Sequence, residues 1–352
     1  MSLKDRLIKN SSITLTSSLD ESEIYNNKEF VTTNVPIINV ALSARLDGGL
    51  DPGLHMIVGQ SKHFKSGFAL LLAKAYLDKY SDGVILLYDS EFGTPKEYFN
   101  TYDIDMSRVI HTPITNVEEF TFDITKQLEG ISREDHVLII VDSIGNLASK
   151  KEAADALEGK SSTDMTRAKS LKSLGRIITP HLAIRHIPMI MVGHTYKTLE
   201  MYSRDVVSGG TGLYLSSNSI WIIGRQQDKD GKDLVGYNFV IRIEKSRWVT
   251  EKSEFPVLIT FEKGISRWSG LLDLALEGKF IVKPKMGWYA KVDMDTGEIL
   301  EPSMREKDLM SDDDFWKEMI EDDNFKAFVY DKYAIAGNKK IMSSEEAEDI
   351  AD

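Results

Sequence analysis

From residue 50 onward, short β-branched and aliphatic runs alternate with longer stretches of helical periodicity. That is the pattern of βαβ units in a mainly parallel sheet. Residues 55–58 read as a strand, 68–80 (FALLLAKAYLDKY) as a buried helix, 84–88 as a second strand and 109–111 as a short third. Residues 117–131 have helical periodicity, and 137–141 (VLIIV) form the most apolar strand in the chain. Residues 163–185 read as a long basic helix with Pro180 as a candidate break, and 188–192 as another strand. Beyond Gly212 the texture changes: strands at 219–223, 237–244 and 255–261 come with few helices between them, predicting antiparallel continuation. A short helix is expected over 269–276. Turn residues Pro284, Gly287 and Asp295-Thr296-Gly297 predict a small hairpin-rich appendage over 280–300. The first 30 residues are polar, with weakly amphipathic patches at 3–8 and 19–25 and no internal repeat anywhere in the chain.

At 352 residues the chain accommodates one large domain with appendages, or two domains. Cysteine is absent, which excludes disulfide scaffolds, thiolate metal sites and cysteine nucleophiles. The seven histidines show no metal-ligand spacing. No apolar run approaches the roughly 18 residues of a membrane span, and the polar start MSLKDR lacks a secretory core, so a cytosolic setting is expected. The net charge of −12 is unevenly placed. Residues 306–352 carry 15 acidic against 6 basic side chains, which leaves the first 305 residues at only −3. An acidic isoelectric point therefore does not argue against a nucleic-acid partner for the body of the chain.

The octamer Gly59-Gln60-Ser61-Lys62-His63-Phe64-Lys65-Ser66 follows a predicted strand and opens a predicted helix. This is the context of a phosphate-cradling Walker A loop. Backbone N–H groups would surround the phosphates, Lys65 would reach the β/γ oxygens and the Ser66 hydroxyl would coordinate Mg²⁺. Phe64 stands where the consensus has a second glycine, so either that residue adopts angles usually left to glycine or the turn differs. The run 138–143 (LIIVDS) is four apolar residues ending in a carboxylate, as a Walker B strand does, and Asp142 would complete the Mg²⁺ shell. Between them, 86–91 (LLYDSE) ends a strand in Glu91, placed to orient or deprotonate an attacking water.

Together with VDSIGNLASKKE (141–152), MVGHTY (191–196), GGTG (209–212) and EKSR (244–247), these segments make the chain resemble a RecA-type recombinase, most closely the phage UvsX-like recombinases. The likeness runs in order from about residue 35 to about 290. It implies an α/β fold: a RecA-like P-loop NTPase core with a mainly parallel central sheet, a short N-terminal polymerisation segment, and a small C-terminal appendage with an acidic tail. The domains expected are 1–30 for polymerisation, 31–268 for the ATPase core with DNA-binding loops, 269–342 for the small C-terminal region and 343–352 for a disordered acidic tail.

The resemblance also assigns roles. Glu91 matches the catalytic glutamate, Asp142 the Walker B carboxylate, and Lys65 and Ser66 the phosphate and magnesium contacts. Tyr98 falls where an aromatic stacks on adenine, with inward packing as its alternative. His194 is expected to end a strand at the position of a γ-phosphate-sensing glutamine, and a neutral histidine can likewise donate one hydrogen bond and accept another. Lys245 and Arg247, expected in a strand, match two cations that reach a neighbouring subunit's ATP.

Two stretches, 149–162 and 195–211, match mobile DNA-binding loops. In them Lys150, Lys151, Lys160, Lys197 and Arg204 are candidate phosphate partners, Tyr196 and Tyr202 candidate base or ribose contacts, and Gly209, Gly210 and Gly212 candidate points of close backbone approach. The helix between the loops offers Arg167, Lys169, Lys172 and Arg176, of which Arg176 is the favoured DNA contact over a merely solvated basic face.

The implied function is an ATP- and Mg²⁺-dependent recombinase that forms filaments on single-stranded DNA and exchanges strands with homologous duplex. The implied partners are other copies of the chain, a single-strand-binding protein and a recombination loader, and the implied setting is that of a phage protein working in the host cytoplasm. The alternatives are a ring-forming helicase motor and a mediator that binds nucleotide without effective turnover. The acidic tail is either a solvated end or a competitor for the basic loops.

Overall fold

The computed structural model describes residues 1–26, 29–160, 165–197, 205–208 and 210–335. In chain order its elements begin with α1 (Leu3–Asn10), α2 (Glu23–Asn26), α3 (Pro36–Ser43), β1 (Gly53–Gly59), α4 (Lys65–Lys79) and β2 (Val84–Asp89). There follow α5 (Lys96–Thr101), β3 (Val109–Pro113), α6 (Val117–Gly130), β4 (Val137–Asp142), α7 (Lys150–Leu157), α8 (Thr166–Ile184), β5 (Pro188–Lys197), β6 (Asp205–Val207) and α9 (Gly210–Ser216). The remainder comprises β7 (Ser219–Asp230), β8 (Asp233–Ser246), β9 (Glu254–Thr260), β10 (Gly264–Ile265), α10 (Leu271–Glu277), β11 (Ile281–Lys285), β12 (Trp288–Lys291), β13 (Met304–Arg305), α11 (Glu306–Leu309), α12 (Asp313–Glu321) and α13 (Asp323–Tyr333). These elements fall into two compact units. One is built from residues 1–31, 50–57 and 66–217, the other from 32–49, 58–65 and 218 onward.

The first unit carries a sheet ordered β1-β5-β4-β2-β3, with β6 pairing β5. Strands β3, β2, β4 and β5 run parallel. The VLIIV run becomes β4 because every side chain from Leu138 to Val141 is excluded from water, as a strand covered on both faces requires. Helix α8 turns Leu171, Leu174, Gly175, Ile178 and Leu182 inward at three- and four-residue spacing. It continues to Ile184 through Pro180, whose exposed position loses one backbone donor while the buried residues on either side hold the helix. The expected break at Pro180 is therefore absent.

The second unit carries β10-β9-β8-β7 in antiparallel order. Strands β7 and β8 form a long hairpin turning at Gly231, where φ is +60°. In the C-terminal region the predicted hairpin is β11–β12, joined by β13 into a three-stranded antiparallel sheet. Trp316 is fully buried there, its indole N–H donating to Leu309 O at 2.9 Å, and Phe325 and Val329 of α13 are buried too. Phe315 and Trp316 thus lie on α12, and Phe325, Phe328, Tyr330 and Tyr333 on α13. No helix among the described residues is long and apolar enough to cross a membrane. The expected acidic tail, 343–352, lies outside the described residues.

Candidate functional site

The loop from Gly59 to Ser66 leaves the end of β1 and enters α4, whose first residue is Lys65. Its glycine deficit is met by strained backbone. Lys62 (φ 64°) and Phe64 (φ 58°) both occupy the left-handed region, which costs a non-glycine residue about 1–2 kcal/mol. Gln60, Ser61 and Lys62 face solvent, His63 and Phe64 are half-buried, and Lys65 is 7% exposed. The Lys65 ammonium donates to Gln60 O at 2.8 Å, so the lysine arches over its own loop. His63 Nδ1 lies 2.6 Å from Ile223 O, Lys62 O accepts from Arg225 Nη1 at 3.2 Å, and the Phe64 ring sits 5.3 Å from that of Phe239. A methyl group on Gly59 would lie 3.0 Å from Ile223 O.

In the first unit, Ser66 Oγ donates to Asp142 Oδ2 at 2.7 Å, and Thr94 Oγ1 reaches the same carboxylate oxygen at 3.4 Å. The parallel register that aligns Asp89 with Asp142 brings the ends of β2 and β4 level. The turn after β2 is tied by Asp89, whose Oδ1 accepts from the N–H groups of Glu91 (3.0 Å) and Phe92 (2.8 Å). This presents Glu91 beside β4. Its Oε1 accepts from the Ser143 hydroxyl and lies 2.8 Å from His194 Nε2. Ser143 is fixed in turn through Ser90, whose hydroxyl donates to Ser143 O at 2.7 Å. The Asp142–Ser143 peptide bond is cis.

His194 does not end its strand. Strand β5 runs on to Lys197 and pairs with β6, and Ser208 N donates to His194 O at 2.9 Å while Ser208 Oγ accepts from His194 N at 3.1 Å. A Cβ on Gly145 would stand 2.8 Å from His194 Cδ2, so the glycine gives the ring its room. Ser143 and Thr94 went unread in the sequence. The signal for Ser143 was a hydroxyl directly after the apolar strand's terminal carboxylate.

Tyr98 lies on α5 and is 53% exposed, so it does not pack inward. Lys245 is within β8, but Arg247 lies one residue beyond the strand's end rather than inside it. Burial, and then the neighbouring Arg247 charge, hold the Lys245 ammonium below its ordinary pKa.

The first expected DNA loop is largely a helix. Ser149 caps α7 by accepting from Glu152 N at 3.0 Å, and the Glu152 carboxylate returns to Ser149 N at 3.4 Å. That reciprocal cap is written in the sequence as Ser149-Lys150-Lys151-Glu152. Lys150 and Lys151 are thus exposed on the first turn of a helix, and Lys150 N donates to Glu118 Oε2 at 2.9 Å. Of the second expected loop, Tyr196 is exposed on β5, and Gly210 opens α9 at φ +75°. Lys197 belongs to the end of β5, whereas Tyr202, Arg204 and Gly209 lie outside the described residues.

Two expectations, one on the basic face and one in the second loop, need correction. Arg167 does not face outward for DNA: its guanidinium donates to Leu147 O (2.6 Å), Ile144 O (3.1 Å) and Gly145 O (2.9 Å), clamping the turn after β4. Arg176, Lys169 and Lys172 are exposed along α8. Gly212 does not offer its backbone to an incoming strand either. It is buried against α8, where an added Cβ would meet Lys172 Cα at 2.4 Å. Replacing Gly212 by Ala is expected to force α9 off α8 and destabilise the fold by about 1–3 kcal/mol. A lowered urea midpoint measures this, and an unchanged midpoint would refute the packing role.

Comparison with known proteins agrees with this geometry. Residues 268–329 match the family model described as the C-terminal domain of the bacteriophage T4 recombination and repair protein. The T4 recombination and repair protein itself is 45% identical over 349 residues, covering 97% of this chain and 89% of that protein. The RecA protein of Streptomyces avermitilis is 26% identical over 266 residues, 74% of this chain and 67% of its own length. RecA of Bacteroides thetaiotaomicron is 24% identical over 279 residues, covering 77% and 80%. With an α/β fold, a phosphate loop and carboxylates at the ends of β2 and β4, the chain belongs to the family of the T4 recombination and repair protein, within the RecA-like recombinases.

Proposed function

We propose that the chain is a DNA-stimulated ATPase that assembles as a helical filament on single-stranded DNA and exchanges strands with homologous duplex, using ATP and Mg²⁺. The observation that carries this reading is the 2.7 Å pairing of the Ser66 hydroxyl with the Asp142 carboxylate. Both are hard oxygen donors, and Thr94 adds a third, a set suited to Mg²⁺ rather than to a softer metal. Bound there, Mg²⁺ would neutralise charge on the β/γ oxygens of ATP.

The residues of the chain divide the remaining work. Loop N–H groups and the start of α4 hold the phosphates, and Lys65 leaves Gln60 O to meet the β/γ oxygens. Glu91 orients the attacking water and accepts its proton as the bond to ADP breaks. Ser143 and His194 fix the carboxylate that does so. Because His194 is bonded through its backbone to Ser208, a shift of β6 reaches Glu91 by a single side chain. Tyr98 is placed to stack on adenine. Lys245 and Arg247 serve the ATP of an adjacent copy, where a polyphosphate would offset the repulsion between them.

DNA is met by Lys150, Lys151 and Arg176 together with Tyr196, Lys197, Arg204, Gly209 and Gly210. Their contacts favour the backbone, since base pairing itself identifies the homologous sequence. A filament needs a heterologous contact between copies, for which residues 1–30 are the candidate. A single-strand-binding protein and a loader are the expected accessory partners.

The test is the steady-state ATPase rate with and without single-stranded DNA. Severalfold stimulation is expected, together with filaments in electron micrographs of the ATP–DNA complex. A rate indifferent to DNA sinks the coupling of loops to site, and closed rings would favour a helicase motor.

A further inference from the structure

Three consecutive residues of the phosphate loop are fastened to the β7–β8 hairpin, each in a different way. Lys62 offers its carbonyl to the Arg225 guanidinium at 3.2 Å. His63 Nδ1 lies 2.6 Å from Ile223 O, and since a carbonyl only accepts, that nitrogen carries the proton. Phe64 sets its ring 5.3 Å from Phe239, tilted by 32°. The outer two of the three are the residues in left-handed backbone. A bulky side chain is seldom found there, and it persists only where surrounding structure over-determines it.

The register of the hairpin explains how both are held. Arg225 on β7 and Phe239 on β8 are directly opposite one another, and residues so paired share a face of the sheet. One rung therefore supplies a hydrogen-bond donor to Lys62 and an aromatic surface to Phe64. The rung is itself steadied, because the Arg225 guanidinium lies 4.6 Å above the Tyr237 ring. A glycine at 64 would reach the same angles unaided. An aromatic residue there does so only when something holds its ring.

We propose that Arg225 and Phe239 are positioning residues for the nucleotide: they hold the phosphate loop in its anion-ready shape through Lys62 and Phe64, replacing the freedom that the missing glycine would provide. The inference rests on the nucleotide reading above, and it concerns ground-state binding of the phosphates rather than the chemical step.

The test titrates the full-length chain with a fluorescent ATP analogue and Mg²⁺, and measures ATPase kinetics alongside. Arg225→Met and Phe239→Leu are each expected to weaken analogue binding and raise KM by about tenfold, with the rate at saturating ATP kept within about twofold. Arg225 is exposed, so its variant removes the donor without opening the core. Phe64→Gly supplies the background in which the coupling is read, whatever its own affinity. In that background Phe239→Leu should lose most of its effect, because the two side chains act as one unit.

Equal losses from Phe239→Leu in both backgrounds would reduce Phe239 to general packing and overturn the proposal. Parent-like binding by both single variants would overturn it while leaving the nucleotide reading intact. A parent chain with no affinity for the analogue would instead bring down the nucleotide reading itself.

Discussion

Replacing Lys65 by Ala is expected to lower ATP turnover by about 10³-fold or more, the scale seen when a preorganised charge is removed from a transferring phosphoryl group. Lys65 is nearly buried at the first turn of α4, with its ammonium on Gln60 O. Exchanging that carbonyl for phosphate oxygens is a short movement of one side chain, so the cation arrives without rebuilding the loop. Alanine removes the charge and leaves the left-handed residues 62 and 64 with their own anchors. The variant should therefore fold with an unchanged urea midpoint, bind nucleotide weakly and hydrolyse almost none. Retained DNA-stimulated hydrolysis would contradict the phosphate-loop assignment.

Glu91→Gln isolates the other half of the chemistry. Glutamine keeps an oxygen able to accept from Ser143 and His194 but no longer takes a proton. The turn that carries it, tied by Asp89 to the backbone of residues 91 and 92, is untouched. The maximal rate should fall by about 10²–10⁴-fold, the usual weight of a general base. Analogue binding should stay within about threefold, because the side chain meets water rather than phosphate in the ground state. A single-turnover assay of phosphate release separates the two quantities. An unimpaired rate would move the catalytic role to another group.

The strands and helices that position these residues were legible wherever a single periodicity decided them. The runs at 84–88 and 137–141 became β2 and β4, each extended by the carboxylate that ends it. The stretch 149–162 misled because Lys150 and Lys151 interrupt any apolar rhythm. Yet α7 exposes every face that those residues present, so it needs no buried stripe, and its reciprocal cap was readable as Ser-x-x-Glu. Arg167 was read by spacing as one of four outward cations. Its three carbonyl partners come from the turn after β4, some twenty residues earlier, and helical periodicity carries no information about such a link. Gly212 read as a point of close backbone approach to DNA and is instead a point of contact between two helices. Phe64 was visible as a departure from the glycine pattern, but its compensation lies on β8, far along the chain.

That distance has a consequence for synthesis. The octamer that names the loop is complete at residue 66, but the partners of Lys62 and His63 stand 163 and 160 positions downstream. A nascent chain emerging from the ribosome thus displays every letter of the motif long before anything exists to set its shape, and a product truncated ahead of Arg225 would carry the signature while lacking the hairpin that moulds it.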